Sequence, residues 1–70
     1  MKKKNDLWEK GSKHYQTLEI QPSQFINKNK LLFAEGNVIK YICRHKAKGK
    51  AEDIKKAIHY CEMILERDYE

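Results

Sequence analysis

The sequence predicts an all-α fold, or nearly so, and three observations carry that expectation. Two long segments space their apolar residues at the helical period, and a short glycine-marked joint separates them. The one stretch that alternates apolar and polar residues, 14–22, is short. The expected architecture is an antiparallel helical hairpin with a short preceding helix and an extended N-terminal segment, completed by oligomerisation. The whole is one domain, residues 14–70, behind a polar arm, residues 1–13.

The arm holds Lys2, Lys3 and Lys4, then Leu7 and Trp8, then Gly11 and Ser12. Trp8 is the residue expected to dock, on the domain or on a neighbouring subunit, since an indole is costly to leave in water. In 14–22, Tyr15, Thr17 and Glu19 alternate with Gln16, Leu18 and Ile20 until Pro22, whose ring keeps the preceding residue extended. Ser23 is placed to cap a short helix, Gln24 to about Lys28, with Phe25 and Ile26 facing inward. The first long helix begins near Leu31. Its apolar stripe passes through Leu31, Ala34, Val38 and Ile42, and it runs to about Lys48, with Gly49 as its C-cap. Gly36 falls inside it, where glycine costs about 1 kcal/mol relative to alanine unless a close approach requires it. The second long helix opens on Glu52 and Asp53. It repeats apolar residues at Ile54, Ala57, Ile58, Cys61, Ile64 and Leu65, and ends about Arg67.

Composition excludes several classes. The 70 residues have no apolar run approaching the ~20 residues that cross a bilayer, and the lysine-rich start has no apolar region of a signal peptide behind it. Cys43 and Cys61 have no CxxC spacing. Their apolar neighbours predict buried free thiols and a reducing, cytoplasmic setting. There is no phosphate-binding GxxxxGK[ST] loop and no GxSxG nucleophile turn. His14, His45 and His59 lack metal-ligand spacing, so no metal site is expected. The carboxylates Glu35, Glu52 and Asp53 near the hairpin are too few for an acidic magnesium cage.

Charge points to a partner. The formal net charge of +5 equals the contribution of Lys40, Arg44, Lys46, Lys48 and Lys50, a stretch without an acid. On a helical wheel Asn37, Lys40, Tyr41, Arg44 and Lys48 share a stripe. An amide, a phenol and three cations suit a phosphate-bearing ligand, Arg44 as a fork and Lys40 as a point charge. A solvated basic helix end would show the same pattern. Asp53, Lys56, Tyr60 and Arg67 form a matching stripe on the second helix, so Tyr41 and Tyr60 could frame a flat ligand. Glu52 and Lys56 are spaced for an i, i+4 surface pair. His14 is the one histidine placed to move a proton near neutral pH.

The segments His14-Tyr15, Gln21-Pro22 with Phe25-Ile26, FAEGNVIKYICR (33–44) and EDIKKAIHY (52–60) resemble the SaV-like family of small phage proteins. The resemblance covers about residues 14–65. It implies a nucleotide ligand, because a longer relative, from a T7-like phage, is an oligomeric, P-loop-less deoxynucleoside monophosphate kinase. The positions matched are His14, Tyr15, Glu35, Asn37, Lys40, Tyr41, Arg44, Asp53, Lys56 and Tyr60. On that reading Arg44 and Lys40 neutralise phosphate, His14 relays a proton, and Asn37 and Tyr60 orient base or sugar. ATP or another nucleotide is the substrate or ligand. The partners expected are a nucleotide and further copies of the chain. A sponge that only sequesters host nucleotide signals and a small nucleic-acid-binding protein are the alternatives.

Overall fold

The computed structural model describes residues 17–70. Their order is α1 (Pro22–Lys28), α2 (Phe33–Arg44) and α3 (Ala51–Tyr69), with no strand among them, so the fold is all-α as the periodicity requires. The Trp8 arm and the start of the 14–22 segment lie outside the described residues, as do His14 and Tyr15.

Helix α1 starts two residues earlier than the Ser23 cap predicted. Gln21 is the N-cap, extended at φ −70°, ψ 139°, as a residue before proline must be, and Pro22 takes the first helical position. There its missing N–H costs nothing, so the ring that was read as the end of an extended segment begins the helix. Residues 17–20 form turns and bends rather than a strand.

Helices α2 and α3 pack against each other as an antiparallel hairpin. Two nested ion pairs fix their direction: Arg44 meets Asp53 across the tip, and Glu35 meets Arg67 at the open end. Among the described residues the buried core between these helices is small, Ala34 and Ala57. Small residues let the two backbones approach closely, which larger ones would prevent. Gly36 gives α1 the same access to α2, for its Cα lies under the Ile26 side chain and an added Cβ would sit 3.0 Å from Ile26 Cγ2. The glycine that interrupts the helical pattern therefore marks a helix crossing.

Three expectations are corrected here. Helix α2 stops at Arg44, four residues before Lys48, and residues 45–50 form consecutive turns in which Ala47 and Lys48 N–H both donate to Arg44 O and Lys50 N–H donates to His45 O. Lys48 is thus off the helical stripe. Gly49 is not the residue of left-handed backbone; Lys50 is, at φ 52°, ψ −132°. Cys43 and Cys61 are both exposed rather than buried, because the apolar neighbours that suggested a core lie on a side of the hairpin that nothing in the described chain covers.

Candidate functional site

The stripe on α2 and the stripe on α3 meet along one side of the hairpin. Tyr41 is the centre of that side. Its ring lies stacked on Tyr60 with centroids 6.0 Å apart and planes 13° from parallel. Around the same ring stand three cations: Lys40 Nζ at 4.5 Å from the centroid, the Arg44 guanidinium carbon at 4.6 Å and Lys56 Nζ at 5.4 Å. The electron-rich face of a phenol attracts cations with about 0.5–2 kcal/mol each, depending on desolvation. Tyr60 continues the cluster, with Phe33 edge-on at 5.8 Å and His59 edge-on at 5.6 Å. With the two ring centroids 6.0 Å apart no flat ligand fits between them; inserting a ring would need about 7 Å between their planes, two contacts of about 3.5 Å.

Arg44 is held from below. Its Nε donates to Asp53 Oδ2 at 3.0 Å and its terminal amine to Oδ1 at 3.2 Å, while Gly49 N–H donates to Oδ2 at 3.1 Å. Asp53 is 1% exposed. The sequence placed it on a wet stripe; instead it is the anchor of the hairpin tip, and the Arg44 hydrogen bonds hold its carboxyl below the usual carboxylate range. Gly49 is needed for this geometry. A Cβ there would fall 2.0 Å from Asp53 Oδ1 and 2.1 Å from Cγ. Replacing Arg44 with alanine would strip a cation from the Tyr41 ring and also leave a buried carboxylate without its main partner, so that variant reports on folding as well as on the loss of the charge.

Lys40 and Lys56 have no carboxylate within ion-pairing distance among the described residues. The Glu52–Lys56 pair expected from i, i+4 spacing is replaced by Glu52 with Lys55 at 3.6 Å, both exposed. Lys56 lies instead over the Tyr41 ring. The outcome, among the described residues, is a cluster of three cations and one carboxylate around an aromatic ring between two helices.

The remaining predicted residues divide. Asn37 donates to Phe33 O one turn back, at 2.9 Å, which leaves its side-chain carbonyl as the polar group it presents. Glu35 is apart from the cluster. It pairs with Arg67, which also holds Asp68, and the Arg67 hydrogen bonds lower the pKa of both acids. This pairing across 32 residues had no local signal; only the register of the hairpin sets it. The described residues hold no group of three His, Cys, Asp or Glu that could bind a metal ion, and no helix among them is long and apolar enough to cross a membrane.

A family described as a protein of unknown function, DUF3310, matches over residues 9–62, more than three quarters of the sequence, and the chain belongs to that family. The match takes in α1, α2 and the first twelve residues of α3, and so the whole Tyr41 cluster. No curated protein and no solved structure gives a significant match.

Proposed function

We propose that this DUF3310 chain binds a nucleotide, holding its phosphate on the Lys40–Tyr41–Arg44–Lys56 side of the hairpin. One observation carries the reading: among the described residues, three cations stand within 5.4 Å of a single tyrosine centroid with one carboxylate beside them. With Asp53 offsetting Arg44, the described residues leave two positive charges at this ring, and a phosphate monoester carries about −1.5 to −2 at neutral pH. Bringing such cations together on a protein without an anion costs repulsion, which a phosphate would relieve. Lys40 and Lys56 supply mobile point charges. Arg44, oriented by Asp53, supplies a fixed guanidinium. Phe33, exposed beside Tyr60, offers a surface on which a base can stack. Asn37, one turn from Lys40 and Tyr41, offers a hydrogen-bond acceptor to base or sugar.

The nucleotide itself is suggested by the SaV-like resemblance of the 33–44 and 52–60 segments, and phosphotransfer by the kinase activity of a longer relative. Binding is the reading preferred here. Arg44, one member of the expected catalytic pair, already gives two N–H groups to Asp53, and the other, His14, lies outside the described residues. Titration calorimetry against a panel of nucleoside monophosphates and inorganic phosphate tests the proposal. Lys40→Ala and Lys56→Ala should each weaken a phosphate-bearing ligand by about tenfold, with affinity falling as salt rises. Equal affinity in all three chains, or no binding at low salt, would overturn it. Incubation of the bound monophosphate with ATP separates a transferase from a sponge, which returns its ligand unchanged.

A further inference from the structure

The side of the hairpin away from the cation cluster is apolar. Tyr41 on α2 stacks on Tyr60 of α3, Ala57 on α3 is buried, and Lys40 and Lys56, one position before Tyr41 and Ala57, converge on the Tyr41 ring. In an antiparallel pair, the residues one position later turn together to the opposite side. These are Ile42 and Ile58, 48% and 55% exposed. On α3 the stripe continues as Ile54, Ile58, Cys61 and Leu65, with Leu65 50% exposed. Its spacing of four, three and four residues is that of a coiled-coil seam. Meanwhile the stripe that faces α2 is Asp53, Ala57, Tyr60 and Ile64.

We propose that this second stripe is where two copies of the chain associate. Each α3 packs antiparallel on the other about a two-fold axis beside Cys61 and Glu62. In that register Ile58 meets Leu65 of the second copy, and Ile54 meets its Tyr69. Charge selects the direction. Leaving aside Lys56, which lies over Tyr41, residues 46–55 carry Lys46, Lys48, Lys50 and Lys55 against Glu52 and Asp53, a net +2; residues 62–70 carry Glu62, Glu66, Asp68 and Glu70 against Arg67, a net −3. Antiparallel packing sets each basic end beside an acidic one, whereas parallel packing sets like beside like. With Ala34, Ala57 and Pro22 the buried apolar side chains among the described residues, association also supplies the larger core that small domains lack. This inference does not rest on the ligand proposal, because Lys40 and Lys56 lie on the other side.

Sedimentation equilibrium of the full chain tests it, alongside an Ile58→Glu/Leu65→Glu variant. The wild type should be dimeric, and the variant should lose about a hundredfold in dimer affinity, as expected for two central apolar anchors, while keeping its helical circular dichroism. A Cys43→Ser chain treated with copper–phenanthroline supplies an independent measurement, since Cys61 beside the axis should cross-link the two copies. A wild type that stays monomeric over the accessible concentrations overturns the proposal. So does a dimer indifferent to both glutamates, or a dimer in which Cys61 does not cross-link.

Discussion

Replacing Gly49 with alanine should destabilise the protein, although by ordinary rules it should do the reverse. Gly49 is outside the left-handed region, so alanine suits its backbone, and Gly→Ala at such a site commonly stabilises by about 0.4–1 kcal/mol through the unfolded chain. In a domain of this size 1 kcal/mol is about 4–8 °C in the unfolding midpoint. A rise of a few degrees is therefore the background expectation. The new methyl would start 2.0 Å from Asp53 Oδ1, and an ordinary contact is about 3.5 Å, so the carboxylate must withdraw by about 1.5 Å. Its three hydrogen bonds, at 3.0, 3.1 and 3.2 Å, cannot all survive such a shift. The midpoint should fall instead, measured by circular dichroism melts at neutral pH. In an Asp53→Ala background the methyl has room, and Gly49→Ala should there become neutral or stabilising. A higher midpoint for Gly49→Ala alone, or the same loss in both backgrounds, would show that the carboxylate is not seated against Gly49.

The other expectations concern charge, contact and strain. Asp53, Glu35 and Asp68 have folded pKa values below their usual 3.8 and 4.5, so the stability they add is complete above those values and is lost as pH falls through the folded ones. Acid melts should show it, and Asp53→Asn should flatten the dependence below about pH 4; an unchanged acid limb would refute the pairing. Gly36→Ala gains about 1 kcal/mol of helix propensity but meets Ile26 at 3.0 Å. It should thus be near neutral alone and stabilising in an Ile26→Ala chain, and additive urea-unfolding energies would contradict that contact. Lys50→Gly should raise the midpoint by releasing roughly 1 kcal/mol of positive-φ strain; a fall in the melt would mean the strain is not there.

How much was readable from sequence depended on whether a signal was local. The helical periods of α2 and α3 are written in each segment alone, and both helices were found with the right partner. Choosing the face was harder. Ala57 and Ile58 are neighbours on one broad apolar surface, and only the partner helix decides that Ala57 goes in and Ile58 stays out. That decision turns on Asp53, whose burial follows from Arg44 and Gly49 together and not from its own neighbours. Gly49 was noticed for the wrong property, its backbone freedom, when its lack of a side chain is what the tip uses. Spacing alone puts Lys40, Tyr41 and Arg44 on one stripe, and the two cations do lie over the Tyr41 ring. That Tyr41 holds cations, rather than leaving a face for a base, depends on Lys56 arriving from another helix.

The Arg44–Asp53 pair spans only nine residues, and this gives the chain a natural order of assembly. Closing so short a loop takes little entropy from the unfolded chain. Once the tip is closed, each further contact between α2 and α3 adds one turn on either side. The hairpin can therefore zip from its tip toward Glu35 and Arg67, with α1 docking on Gly36 afterwards. Contacts this local belong to chains that fold in microseconds to milliseconds, and they make the tip the earliest organised part of the molecule. The cations that ring Tyr41 are then gathered at the outset of folding, before the rest of the hairpin closes.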